Sequence, residues 1–125
     1  MTRMKFREVV RLPEFDRDMK KLVRRYETLE EDLTRFVNIQ LFLYHKAGKE
    51  NRGIVRIDQL GATMKPVFKA KKFACLSMKG KGVRTGIRVV YAYDDPDDKV
   101  ELIEIYHKSD QPVEDRKRIA NYYGE

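Results

Sequence analysis

Apolar and polar positions along this chain alternate with two different periods, and the switches between them mark the elements. Residues 6–12 (FREVVRL) read as a short strand, with the β-branched pair Val9–Val10 at its centre and Pro13 closing it. Residues 14–26 change to helical spacing: Phe15, Met19, Leu22, Val23 and Tyr26 fall on one stripe, and Pro13 suits the first turn. A second helix is predicted over 29–45, with Thr28 and Glu31 as a capping box and Leu29, Leu33, Phe36, Val37 and Leu41 or Tyr44 as its stripe. Ile39, Phe42 and Leu43 lie off that stripe. Such a helix is either buried on two sides or carries a patch for a protein partner. His45 and Lys46 suit the negative end of the helix dipole, and Gly48 ends it.

Residues 47–61 read as a long loop with a short extended piece at 54–57. Period-two alternation then returns over 67–78, interrupted at Lys72, where a bulge or bend is expected. The run GKGVRTG at 80–86 is a glycine-rich basic turn. Residues 87–93 (IRVVYAY) and 100–106 (VELIEIY) are strands joined by the acidic turn DDPDD. Ser109 or Asp110 is expected to cap a short helix opened by Pro112. Short connections imply an antiparallel meander. The predicted architecture is α+β in a single domain over 1–125. It has an N-terminal strand, a helical hairpin packed on an antiparallel sheet of about four strands, and a short C-terminal helix. The other sheet face is expected to be free and polar.

Charge sharpens this picture. The chain has 125 residues and a net charge of +7, yet residues 65–88 alone carry eight cations: Lys65, Lys69, Lys71, Lys72, Lys79, Lys81, Arg84 and Arg88. No Asp or Glu occurs between Asp58 and Asp94, so the excess charge sits on one predicted surface. Such a surface suggests an anionic polymer as partner. The overall composition, 42% hydrophobic and 38% charged, is that of a folding chain rather than a disordered tail. The single Cys75 excludes an internal disulfide framework. The N-terminus lacks the apolar core of a secretory signal, and no apolar run reaches the ~18 residues of a membrane span. A cytoplasmic protein with no membrane association is expected.

Lys69 and Lys71 are two apart on a strand and project to the same side, and Arg88 begins the neighbouring one. Together they are candidates to clamp a phosphodiester and stabilise the charge of its cleavage. His107, ending the last strand, is a candidate for proton transfer or a packed structural residue. Tyr122 and Tyr123, beside Arg116, Lys117 and Arg118, either stack on bases or tack the last helix to the core. No metal-ligand spacing, phosphate-binding glycine loop or serine elbow is present, and no cofactor or metal is expected.

Three segments in order resemble the RelE/ParE superfamily of bacterial toxins: PEFDRDMKKL at 13–22, FKAK at 68–71 followed by GIRVVYAY at 86–93, and VELIEIYHKSD at 100–110. The resemblance implies a type II toxin that cleaves mRNA, often on the ribosome, by metal-independent attack of the 2′-OH on the adjacent phosphate. A cognate antitoxin would hold it inactive, and the assembly would be a homodimer or a toxin–antitoxin hetero-oligomer. It implies that Lys69 and Lys71 are the paired strand lysines, that Arg88 contacts the scissile phosphate, and that His107 or a lysine is the base. Lys65, Lys72, Lys79, Lys81, Arg84, Lys108, Tyr122 and Tyr123 would then contact RNA. A gyrase inhibitor of the ParE type and a non-cleaving relative that only binds are the alternatives.

Overall fold

The computed structural model describes residues 5–58 and 65–124; the end of the predicted loop at 59–61 lies outside them. The fold is α+β. Five strands form one sheet in the order β1-β5-β4-β3-β2: β1 (Glu8–Arg11), β2 (Ile54–Arg56), β3 (Val67–Ala70), β4 (Ile87–Asp94) and β5 (Lys99–His107). The expected antiparallel sheet of about four strands is thus a mixed sheet of five. The extended piece at 54–57 is a true strand on one edge, and β1 runs parallel to β5 on the other. Helix α1 (Pro13–Val23) has Pro13 in its first turn, and its Phe15, Met19 and Leu22 are buried as the stripe predicts.

The second predicted helix is continuous but not uniform. It runs as α2 (Leu29–Arg35), a π-helical segment (Phe36–Leu41) and a final turn α3 (Phe42–His45). Its stripe is buried, while Ile39 and Leu43 stay exposed, so the helix is not buried on two sides. The Thr28–Glu31 capping box does not form. The Thr28 hydroxyl instead donates to Asp32 Oδ2 at 2.7 Å and meets the Ser77 hydroxyl at 2.6 Å. Asp32 is itself buried, accepts from Arg35 Nη2 at 2.6 Å, and takes the Leu76 N–H at 3.2 Å. A carboxylate and a hydroxyl on the helix therefore fasten the loop that follows β3.

That loop replaces most of the strand predicted over 67–78. The Lys71 N–H still bonds the Gly53 carbonyl (2.7 Å) in register with β2, and the strand ends past it, where the Lys72 carbonyl is taken by Gln40 Nε2 (2.9 Å). The bend expected at Lys72 is real, and it switches faces: Phe68, Ala70, Phe73 and Cys75 all join the core under the helices. This core also holds Ile87, Val89, Tyr91 and Tyr93 from β4, which alternate as a strand should.

The opposite face of the sheet is not free, contrary to expectation. Helix α4 (Arg116–Tyr123) lies on it, with Ile119 and Tyr123 packed against Val67, Val90, Ala92, Ile103 and Tyr106. Its N-cap is Asp115, whose carboxylate accepts from the Arg118 N–H, rather than Ser109 or Asp110. A register shift between β4 and β5 prepares this docking. Val90 pairs Glu104 and Tyr91 pairs Leu102, so the extra Ile103 lets neighbouring Ile103 and Glu104 both serve the α4 side. The buried Glu104 carboxylate then accepts from the Asp115 N–H and from Gln111 Nε2, each at 2.9 Å. Arg118 completes the docking by donating to Asp18 Oδ2 of α1 at 2.7 Å.

His45 sits inside the aromatic layer formed by Phe68, Tyr91 and Tyr93, with its Nε2 2.7 Å from the Tyr91 hydroxyl. Burial lowers its pKa from 6.5 to about 4, against a weak opposing pull from Asp95. The folded pKa lies below the unfolded one, so the neutral imidazole's contribution is complete above pH 6.5 and is lost as pH falls from 6.5 to about 4. Allowing for residual exposure, the loss is expected to be about 2 kcal/mol. Denaturant titrations of the wild type and His45→Gln at pH 7.5 and 4 check this. The wild type should lose that much more than the variant, and equal losses would refute the assignment.

Candidate nucleic-acid interface

Antiparallel pairing of β3 with β4 sets Lys69 opposite Val90, on the face that α4 covers. Arg88 lies opposite Tyr106 on that same face, and Lys71 continues it two residues past Lys69. The three predicted cations therefore do share a side of the sheet, but their surroundings differ sharply.

Lys69 is largely buried, and its Nζ donates to Glu114 Oε1 at 2.8 Å. Glu114, just ahead of α4, is 5% exposed at its side chain and also accepts from Arg116 Nε at 3.1 Å. Burial alone would raise the Glu114 carboxyl. Burial is the largest single effect, but the hydrogen bond and charge of Lys69, a backbone N–H and the Arg116 charge together outweigh it and hold the group below its ordinary range. Lys69 is thus a neutralised structural cation that ties β3 to the C-terminal segment, not an open phosphate ligand. The same pairing bears on Tyr106, whose hydroxyl is pushed up to about 12 by burial and by the Glu114 and Glu104 charges, against Arg88.

Lys71 and Arg88 are open. Arg88 Nη1 donates to the Lys71 carbonyl, which fixes the guanidinium across the end of β3. Both residues line a concavity of about 450 Å³ together with Arg52, Gly53, Lys72, Val83, Arg84, Gly86 and Lys108. Six of these nine residues are cationic, and none is acidic or aromatic. None of the six makes an ion pair among the described residues, whereas Lys65 and Lys69 both do. Unpaired cations crowded around a concave surface leave a positive potential that only an external anion relieves.

The loop geometry builds this site. Gly53 is pressed against the Lys72 side chain, where a Cβ would stand 2.8 Å from Cγ, and its N–H bonds Asn51 Oδ1 at 2.8 Å. Arg52 is carried in on that turn. Sequence reasoning missed Arg52, because it lies in a segment with mixed charge, outside the acid-free run. Its one local signal is the neighbouring Asn-x-Gly turn chemistry.

His107 does not join the cluster. Strand alternation sends it to the α1 side, opposite Arg88, and Lys108 back to the Arg88 side. Its Nδ1 accepts from the Ser109 N–H at 3.0 Å and its Nε2 lies 2.9 Å from the Thr85 carbonyl, which requires a neutral ring protonated at Nε2. The ring stacks on Tyr26 and rests against Gly86. Both nitrogens are occupied by backbone, so the predicted proton-transfer role is replaced by a packing one. Gly86 has φ +84°, and a Cβ there would meet His107 Nε2 at 2.8 Å. Gly86→Ala is therefore expected to cost about 2 kcal/mol, through backbone strain plus displacement of the ring. Thermal melts measure it, and an unchanged midpoint would contradict this packing.

The remaining candidates separate. Lys65 donates to Glu101 Oε1 at 2.5 Å and stands 3.8 Å from Asp94, at the far end of β3. It borders a different concavity whose liners include Asp94 and Asp95. Lys79 and Lys81 lie on the exposed loop and do not line the cavity. Tyr123 is buried with Ile119 in the α4 core, and Tyr122 is exposed on the same helix beside Glu14. Neither tyrosine lines the cationic cavity. Among the described residues there is no group of His, Cys, Asp and Glu that could hold a metal, and no helix long and apolar enough to cross a membrane.

Comparison of the chain with protein-family models, curated proteins and solved structures returned no match.

Proposed function

We propose that this chain is a RelE-type toxin of a type II toxin–antitoxin pair that binds mRNA in the cationic concavity and cleaves it without a metal. One observation carries the reading: Arg88 is fixed against the Lys71 backbone in a cavity lined by six cations and no carboxylate. In the proposed reaction the 2′-hydroxyl oxygen attacks the adjacent phosphorus and its proton passes to water, the P–O5′ bond breaks, the 5′-oxygen leaves as a hydroxyl with a proton taken from water, and a 2′,3′-cyclic phosphate results. Arg88 neutralises the equatorial oxygens, and Lys71 and Lys108 hold the flanking phosphates. A forked guanidinium already anchored by a carbonyl need not reorganise as charge develops. The order of elements supports the same reading, with an N-terminal strand and helical pair ahead of a basic strand and a final strand ending in His107 and Lys108. The partners proposed are mRNA, the ribosome and an acidic antitoxin that covers the cavity.

A second reading is a relative that binds RNA without cleaving it. It is favoured by Lys69 being neutralised and His107 being saturated by backbone, which removes two of the four predicted catalytic groups. Induced expression in cells followed by primer extension on abundant messages separates the two. New 5′ ends that disappear with Arg88→Ala support cleavage. Binding without new ends supports the second reading. Growth arrest with intact mRNA and altered DNA supercoiling would point instead to a ParE-type gyrase inhibitor.

A further inference from the structure

The composition of the concavity says how a bound strand would be recognised, granted that this cavity is the nucleic-acid site. Specific readout of adenine and cytosine edges uses amides or carboxylates, strong base stacking uses aromatic rings, and arginine and lysine discriminate chiefly guanine. The liners Arg52, Gly53, Lys71, Lys72, Val83, Arg84, Gly86, Arg88 and Lys108 include no aromatic ring, carboxylate, Asn or Gln. The tyrosines nearest the C-terminus are packed on or beside α4, away from it. The surface is also concave, whereas duplex readout requires an element that protrudes into a groove.

We infer that Arg52, Lys71, Lys72, Arg84, Arg88 and Lys108 form a receptor for the sugar–phosphate backbone of a single strand that grips successive phosphates and does not discriminate among A, U and C. Arg52 belongs to this receptor as a phosphate ligand. It enters from the β2 side, across the cavity from Lys108 at the end of β5, so the two mark opposite walls. Any preference among A, U and C must then come from elsewhere, such as the ribosome presenting the strand.

The test uses the full chain and fluorescein-labelled 12-mers of 2′-O-methyl A, U and C, which lack the attacking hydroxyl, followed by anisotropy at 50–300 mM KCl. The three oligomers are expected to bind within about threefold of each other. The log–log salt slope is expected on the order of −3 to −4, for up to six neutralised phosphates at about −0.7 each, and Arg52→Ala should reduce it by about 0.7. A hairpin duplex of the same length should bind more weakly. A preference above tenfold for one base, or tighter binding of the duplex, overturns the inference while leaving the toxin reading in place. A slope unaffected by Arg52→Ala and by Lys108→Ala places the strand elsewhere and also overturns it. The toxin reading fails separately, if the wild type yields no new mRNA ends in cells.

Discussion

Arg88→Ala is expected to lower single-turnover cleavage of RNA by at least about 100-fold, in the range found when one fixed donor to a developing oxyanion is removed. The side chain is only partly buried, and its one hydrogen bond goes to a carbonyl at the cavity rim that water can take over. Stability should therefore move by less than about 0.5 kcal/mol. Arg88→Lys should be impaired to an intermediate degree, since an ammonium keeps the charge but loses the planar fork. Lys69→Ala is a poorer probe. It would leave the Glu114 carboxylate buried with only Arg116 to balance it, so lost activity would be mixed with lost stability. The double alanine variant of Lys69 and Lys71 inherits the same ambiguity. If Arg88→Ala cleaves as the wild type does, the cavity is not a catalytic centre, and binding without turnover becomes the reading to pursue.

Asp32→Ala should destabilise the fold by about 3 kcal/mol. The carboxylate is buried, with a side-chain exposure of 0%, and holds three donors: the Thr28 hydroxyl, Arg35 Nη2 and the Leu76 N–H. Truncation strands the Leu76 amide in a partly buried seam and leaves the Thr28 hydroxyl to Ser77 alone, while Arg35 can turn to water. The loop that follows β3 then keeps only its Thr28–Ser77 tie to the start of α2, so the effect should reach the cationic cavity. RNA affinity is expected to weaken in Asp32→Ala even at temperatures where the protein remains folded, because Lys72 and Arg84 lie on that loop. Urea unfolding gives the stability, and hydrogen exchange at residues 76–78 should show the earliest loss of protection. A change below about 1 kcal/mol would mean that the loop is held by Phe73 and Cys75 packing instead.

Much of the scaffold was legible because it rests on local periodicity. The α1 stripe of Phe15, Met19 and Leu22, the α2 stripe and the two long strands all follow from residue spacing that a neighbouring sheet or helix then buries. The Lys72 break was legible too, as a charged residue on an apolar face. What spacing left hidden was the partner of each polar group. The Thr28–Glu31 pattern is a capping box by sequence, yet Ser77, distant in the chain, competes for the same hydroxyl and wins. The C-terminal helix starts at Arg116 because Glu104 captures the Asp115 N–H, a contact set by the β5 bulge.

The sequence by itself determined that this chain segregates its charge: eight cations and no acid over 65–88, on a strand–loop–strand unit. It also determined, through period two, that Lys69 and Lys71 face one way, whereas strand pairing decided that Arg88 joins them and His107 does not. Only the tertiary structure decided which of those cations remain available. Glu114, 45 residues after Lys69, and Glu101, 36 after Lys65, fold back to cancel two of them, and Arg52 and Lys108 arrive to replace them. The reason is physical. Alternation fixes direction within one element, but a charge is neutralised by whatever lies within a few ångströms in space, and that depends on where distant loops return.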